Sequence, residues 1–199
     1  MNEKVEERME KKKEQKKLIK GMRDRELELG NLQLAIQISP DGSTRDASIQ
    51  ELQAGARQHI IIVAGPKKAC RDALVGANLL KMDFAMNNVL VVPYEIISSD
   101  IERQTRPEGS GFADRPIYEK QAYVARATGE GWDAYISAEI NDAVELNGEK
   151  VREEGIAVVV ASNGKVIRRG VGKVPWRQMV EQLDETVGGG RKKDAPWIG

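Results

Sequence analysis

The sequence of 199 residues contains a single cysteine, Cys70, and a single histidine, His59. One thiol excludes an intramolecular disulfide framework and fits a reducing compartment, although a bridge to another molecule stays open. Zinc sites use cysteine and histidine ligands at short spacings, and the acidic residues show no ligand spacing that could replace them. We therefore expect no metal and no other cofactor.

Long apolar runs are also missing, because no stretch approaches the roughly 18 apolar residues that a membrane-spanning helix needs. The formal net charge is zero and aromatic residues make up 5% of the chain. The basic residues lack an interleaved aromatic stripe, so the sequence does not predict nucleic-acid binding. The first thirty residues lack the apolar core of a signal peptide and are too acidic for a transit peptide. Any targeting segment is expected to lie outside this chain.

The first 29 residues of the chain are strongly charged. Lys, Arg and Glu dominate them, and they have almost no apolar face. This pattern predicts a solvated helix that cannot pack tightly alone. Two roles remain open: a charged linker, which is the commoner use of such a helix, or an arm that binds a partner or lipid headgroups. Its deletion up to about residue 28 is expected to cost the domain less than about 1–2 kcal/mol.

Residues 30–187 carry the patterns of one folded domain. "NLQLAIQIS" alternates apolar and polar residues, as a half-buried strand does, and Asp41-Gly42 is a hairpin-turn signal. Ser48 with Glu51 three residues later predicts a capping box on a short helix. "HIIIVAG" and "NNVLVVPYEI" are apolar on both faces and flank the helical pattern of "PKKACRDALVGANLL". This order predicts a βαβ unit with two parallel, central strands.

The second half of the domain begins with "GWDAYISAEINDAVELNGEK", in which Trp132, Tyr135 and Ile136 share one helix face. Two apolar runs then flank Asn163-Gly164, a pair that favours the positive φ angles of a type I′ hairpin turn. "VPWRQMVEQLDETV" predicts a final helix. Residues 188–199 read as a flexible tail.

A long connection, residues 98–130, is rich in proline, glycine and charge. A structureless insert of this length usually serves a function or is partly disordered. Its aromatic residues Phe112, Tyr118 and Tyr123 must pack on their own domain or wait for a partner, because they gain nothing in water. Together with Trp197 in the tail, they are the candidate partner-binding residues.

The order of these elements resembles the thioredoxin-like proteins. "GIAVVVASNGKVIRRGVGKVPWRQMVEQL" is similar to their closing strand, turn, strand and helix, and the segment before "HIIIVAG" is similar to the peroxiredoxin-type entry. The resemblance implies a three-layer α/β/α fold with a mixed central sheet, preceded by the charged helix.

The thiol chemistry of that family does not follow from the resemblance. A thioredoxin site needs two cysteines two residues apart at a helix N-terminus, whereas here Cys70 is alone and about one turn into the helix. The family's cis-proline is replaced by Gly155-Ile156-Ala157, and Lys67 stands where peroxidases carry threonine. We expect a buried, structural Cys70. The alternative is an exposed, reactive Cys70 whose pKa is lowered by Lys67, Lys68 and Arg71.

Longer phrases, including "NNVLVVPYEI" and "RPIYEKQAYVARATGEGWDAYISAEINDAV", resemble the C-terminal soluble region of the Low PSII Accumulation family. That resemblance implies a non-enzymatic factor for assembly or repair of photosystem II in the chloroplast, on the stromal face of the thylakoid membrane. Its partners would be reaction-centre subunits or other assembly factors. The family's tetratricopeptide repeats and paired membrane helices do not occur here, so this chain would be the portion that follows them. The membrane would then be reached only through a segment outside this chain.

Three classes of function therefore compete. The first is a redox-inactive thioredoxin-like interaction module in a photosystem II assembly factor, which we favour. The second is a peroxiredoxin-like enzyme that uses Cys70 with an external resolving thiol. The third is a structural scaffold subunit of a larger complex, docked through its tail and long loop.

Overall fold

The structure, a computed structural model, describes residues 3–96, 116–187 and 197–198. The α-helices in those ranges are α1 (Glu3–Leu29), α2 (Ile49–Ala56), α3 (Lys67–Ala77), α4 (Lys81–Met86), α5 (Trp132–Asn147), α6 (Val151–Glu154) and α7 (Trp176–Val187). The strands are β1 (Gln33–Gln37), β2 (Thr44–Ser48), β3 (His59–Gly65), β4 (Val89–Glu95), β5 (Arg126–Thr128), β6 (Ile156–Val160), β7 (Val166–Val171) and β8 (Trp197–Ile198). Short 3-10 turns lie at Asn78–Leu80 and Ile117–Glu119.

The main sheet has the strand order β4-β3-β6-β7-β8. β3 pairs in parallel with β4 and antiparallel with β6, which in turn pairs antiparallel with β7. A parallel βαβ unit followed by an antiparallel hairpin and a helix, with the first strand at the centre, is the thioredoxin fold. The expected fold class and the predicted βαβ unit are both confirmed.

Helices cover both faces of this sheet because its central strands are apolar on both sides. On one face, α2 and α5 pack with the β1–β2 hairpin around residues such as Ile60, Ile62 and Val158. On the other face, α3, α4 and α7 pack against Ile61 and Val159. All seven residues of β3 are buried. The result is the three-layer arrangement that the sequence predicted.

Local signals in the sequence are reproduced with one exception. Ser48 and Glu51 form the predicted capping box at α2, and Gly42 adopts a φ of 90° between the antiparallel strands β1 and β2. The β6–β7 hairpin is also present, but its turn is not type I′, because only Gly164 (φ 81°) has a positive φ and Asn163 does not. The Gly164 N–H donates to Ala161 O and the Ala161 N–H donates to Lys165 O, so the extra residue of this turn lies at the turn itself. A separate register shift lies between Val159 and Val160.

Residues 116–130, the described part of the long insert, carry regular structure. β5 pairs antiparallel with β1 and completes a second sheet of order β2-β1-β5. Upstream of β5, the backbone N–H groups of Val91 and Ala125 exchange hydrogen bonds with Tyr123 O and Val91 O, at 2.8 and 2.9 Å. The expectation of a structureless connection is therefore wrong for this part. Tertiary pairing with β1 and β4 decides it, and the local sequence does not show that pairing.

The last two turns of α1 belong to the folded domain. Leu29 is 1% exposed and lies in the core that contains α5. Arg25 and Glu26 contact charged residues of α5 and β7. The boundary between arm and domain thus falls inside α1, and removal of residues up to 28 would break contacts that the sequence did not predict. None of the described helices combines the length and apolar character needed to cross a bilayer.

Candidate functional site

The corner between β3 and α3 is where thioredoxin-like enzymes place their thiol chemistry, and here it holds Cys70. The side chain is buried, with 6% of the residue exposed. Its Sγ lies 3.4 Å from Tyr94 O, 3.5 Å from Gly65 O and 3.7 Å from Val63 O. One S–H group donates to one carbonyl at a time, so the thiol hydrogen sits within a cradle of main-chain acceptors.

This environment opposes ionisation of the Cys70 thiol. Burial raises its pKa to about 12, and the nearby carboxylate of Glu95 adds to the rise. Lys67 and Lys68 are exposed at the start of α3 and do not reverse that effect. Because the thiolate is the nucleophile, the side chain is held in its unreactive form at neutral pH.

The space beside this corner is closed by two glycines. A Cβ atom on Gly155 would lie 2.8 Å from Ala64 O, and one on Gly65 would lie 2.8 Å from the Gly155 Cα atom. Gly155 has a φ of 79°, a conformation that glycine adopts without strain. In thioredoxins the cis-proline stands here, but the described residues contain no cis peptide bond. The two glycines face each other at the end of the antiparallel β3–β6 pair, and neither position has room for a Cβ atom.

The candidate partner-binding residues lie in different environments. Tyr123 is 8% exposed and its ring centroid lies 5.0 Å from that of Phe84, so it is a core residue, and its assignment to a partner surface is corrected. Tyr118 is half-buried and packs against the same core. Phe112 lies outside the described residues. Trp197 begins β8, whose backbone pairs in parallel with β7, so this end of the tail is tied to the sheet.

A second buried polar site lies on the opposite side of the sheet, between α5 and β7. Glu139 is fully buried and Arg169 is 2% exposed. The Arg169 Nε atom donates to Glu139 Oε2 at 2.9 Å, and its second guanidinium nitrogen lies 3.4 Å from Oε1. Burial alone would lower the pKa of Arg169, but the Glu139 carboxylate outweighs burial and the pKa rises. Arg169 is therefore a charged group inside the core.

α1 completes this ion cluster from outside. Arg25 donates to Glu139 at 3.3 Å and also pairs with Asp142, while Glu26 lies 3.8 Å from Arg169. The neighbouring Tyr135 hydroxyl is buried without a hydrogen-bond partner, and burial, followed by the Glu139 charge, raises its pKa well above the usual value. The cluster joins three elements that are far apart in the sequence.

Sequence reasoning missed this cluster, although one signal was present. Glu139 lies four residues after Tyr135 and three after Ile136, so it falls on the inward face of α5. A charged residue on a buried helix face requires a buried partner. The sequence shows that requirement, but it does not show that β7 brings Arg169 opposite.

Other features of the described residues do not form a ligand site. No group of three or more histidine, cysteine or acidic residues in that part of the chain is arranged to hold a metal ion. His59 is buried, and its Nδ1 atom accepts a hydrogen bond from the Ser162 backbone N–H at 3.1 Å. A cavity of about 130 Å³ lies beside Gly170, Lys173 and Met179. It is smaller than the roughly 300–1,000 Å³ of typical ligand pockets.

No protein-family model and no curated protein matches this sequence. Solved structures do show similarity. Thioredoxin peroxidase I of Plasmodium yoelii is 12% identical, with 84% of this chain and 94% of that chain covered and a TM-score of 0.47. The reduced 2-Cys peroxiredoxin of Plasmodium vivax is 10% identical, with 79% of each chain covered and a TM-score of 0.45. The exposed lipoprotein thioredoxin Etrx1 of Streptococcus pneumoniae is 12% identical, with 76% and 97% covered and a TM-score of 0.42. The fold assignment rests on the strand order and directions above.

Proposed function

We propose that this chain is a redox-inactive thioredoxin-like module that binds other proteins, and that it serves in the assembly or repair of photosystem II. The observation that carries the first part is the state of Cys70. The only thiol of the chain lies in a cradle of backbone carbonyls with a pKa of about 12. A thiol enzyme needs an accessible thiolate, and this corner opposes both access and ionisation.

The closed corner supports the same reading. Gly155 stands where thioredoxins carry their cis-proline, and the Cβ atom of any other residue there would lie 2.8 Å from Ala64 O. A fold that carries no thiol chemistry can still present loops and edges to partners. Tyr118, Phe112 and Trp197 remain the residues we propose for that contact.

The cellular role in this proposal rests on the resemblance of several sequence phrases to the Low PSII Accumulation family. It places the chain in the chloroplast on the stromal face of the thylakoid membrane, held there by a segment outside this chain. Its partners would be newly made reaction-centre subunits or other assembly factors.

The enzymatic part is tested by insulin reduction and peroxide consumption assays on the purified chain, with the Cys70→Ser variant as control. We expect no saturable turnover from either protein. Saturable turnover that disappears in Cys70→Ser would refute the proposal and support the peroxiredoxin-like alternative.

The partner is tested separately by affinity purification from thylakoid extracts followed by mass spectrometry. We expect photosystem II core subunits to co-purify with the wild-type chain and to be depleted with a Phe112→Ala/Tyr118→Ala variant of unchanged circular dichroism. Recovery of an unrelated complex, with no photosystem II subunits, would reject the cellular role while leaving the redox-inactive module in place.

A further inference from the structure

The exposed part of α1 has an uneven distribution of charge along the chain. Residues 11–23 contain seven basic residues and one acidic residue, which gives a net charge of +6 for 13 residues. The whole chain, by contrast, has a net charge of zero. The helix therefore concentrates positive charge in one block next to the part that is anchored to the domain.

The basic residues of α1 are also distributed unevenly around the helix axis. Successive residues are about 100° apart in an α-helix. Lys12, Lys16 and Lys20 are exposed and fall within one arc of about 100°, which also contains Lys13 and Arg23. Five basic residues thus share one side, which we call the basic face (Lys12, Lys13, Lys16, Lys20 and Arg23). It spans about 17 Å along the helix.

The anchoring of α1 decides where the basic face points. Arg25 and Leu29 contact the domain, through Glu139 and through the core respectively. By the helical repeat these two residues lie on the side opposite the basic face. The domain therefore covers one side of the helix end and leaves the basic face directed away from itself.

Two apolar residues share the basic face. Met9 is 56% exposed and Leu27 is 77% exposed, and both fall in the same arc. Of the described acidic residues of α1, Glu10, Asp24 and Glu28 lie to one flank of that arc, and Glu26, which contacts Arg169, lies to the other. A surface that combines lysines with exposed apolar side chains and excludes acids is complementary to an anionic bilayer surface.

We propose that the basic face of α1 binds the headgroup region of an anionic lipid membrane. The lysines would contact the negative surface while Met9 and Leu27 enter the boundary between headgroups and acyl chains. The phosphates of a nucleic acid would pair with the lysines, but a nucleic acid would not bury the side chains of Met9 and Leu27. This contact would add to an anchor outside the chain, and it revises the expectation that the membrane is reached only there. The proposed membrane contact does not depend on which protein the domain binds.

The test is co-sedimentation of the full chain with vesicles of phosphatidylcholine, with and without one-third phosphatidylglycerol. We expect binding only to the anionic vesicles, with affinity that falls as salt is raised. A variant with Lys12, Lys13, Lys16 and Lys20 changed to Gln is expected to bind at least about tenfold more weakly. The matched control changes four exposed lysines of the domain to Gln: Lys67, Lys81, Lys150 and Lys165.

A second variant separates a lipid surface from a general polyanion. Met9→Gln/Leu27→Gln is expected to weaken binding to anionic vesicles about threefold while leaving binding to heparin unchanged. Equal vesicle binding by the wild type and the four-lysine variant would overturn the proposal, and so would an equal loss in the control. Tighter binding to a random DNA duplex than to vesicles at physiological salt would also overturn it, in favour of a nucleic-acid surface.

Discussion

Two buried polar sites lie on opposite sides of the main sheet, and they offset the cost of burying a polar group in different ways. At the β3–α3 corner, Cys70 stays neutral and lies within reach of three backbone carbonyls from two neighbouring strands, β3 and β4. Between α5 and β7, Glu139 is paired with Arg169 and Arg25, which come from distant parts of the chain. A neutral group needs only local acceptors, whereas a buried charge needs an opposite charge placed by the tertiary fold.

The Cys70 corner and the Glu139–Arg169 cluster also differ in what they do for the fold. The corner has the position of a family active site but holds a protonated thiol in a closed space. The ion cluster has no counterpart in the sequence patterns, yet it attaches α1 to the domain and so orients the basic face. The corner therefore holds a polar group within the core, whereas the cluster fixes how the end of α1 meets the domain.

The largest expected effect comes from removing one charge of the cluster. Glu139→Ala would leave Arg169 buried with only the more distant Glu26, and we expect the free energy of unfolding to fall by about 3–5 kcal/mol. Urea denaturation measures it, with Glu181→Gln on the exposed side of α7 as control. A double variant, Glu139→Leu/Arg169→Met, should recover most of the loss, because no charge remains buried without a partner. A loss below about 1 kcal/mol in the single variant would show that the pair is solvated.

The next effect concerns the closed corner. Gly155→Ala places a Cβ atom 2.8 Å from Ala64 O at a φ of 79°, and we expect a loss of about 3 kcal/mol. Gly148→Ala is the matched control, because its φ of 86° and ψ of 174° are close to the 79° and 178° of Gly155, but nothing lies within 4 Å of its Cβ position. It should cost about 1 kcal/mol. Equal losses in the two variants would mean that the backbones at the corner can separate.

A smaller effect on stability, which depends on pH, is expected from the buried thiol of Cys70. The pKa of Cys70 is raised to about 12 in the folded chain, above the 9.0 of a free thiol. Above pH 9 the unfolded chain releases this proton first, so stability is lost as the pH rises. At pH 10.5 the loss should reach about 2 kcal/mol relative to pH 8.

Cys70→Ala isolates this contribution, because the other titrating groups are unchanged. Thermal or urea unfolding of both proteins between pH 8 and 10.5 should show a shallower decline for the variant. Parallel declines would indicate an accessible thiol of ordinary pKa, and rapid alkylation of the native protein at pH 7.5 would indicate the same.

The smallest effect tests how α1 is attached. Arg25→Gln removes the contacts with Glu139 and Asp142, and because Arg25 is partly exposed we expect a loss of about 1 kcal/mol. Lys20→Gln makes the same charge change on the exposed side of the helix and should be neutral. If Arg25→Gln is also neutral, α1 is held by Leu29 and by the contact of Glu26 with Arg169.

Local signals in the sequence predicted most of the fold correctly. The apolar runs of β3 and β4, the helix between them and the glycine turns follow from periodicity and backbone preference, which neighbouring residues alone decide. Ser48 and Glu51 form their capping box for the same reason. The one local error, the turn at Asn163, arose because an Asn-Gly pair is compatible with two turn geometries that differ in strand register.

Only the tertiary structure decided how distant segments meet. It brings β5 beside β1, buries Tyr123 against Phe84 and places Arg169 opposite Glu139, and each of these contacts joins residues far apart in the chain. The sequence by itself determined that Cys70 has no cysteine partner in the chain and that the start of the chain is a charged helix. The burial of that thiol and the direction of the basic face depend on packing, because both are set by residues that sequence spacing does not relate.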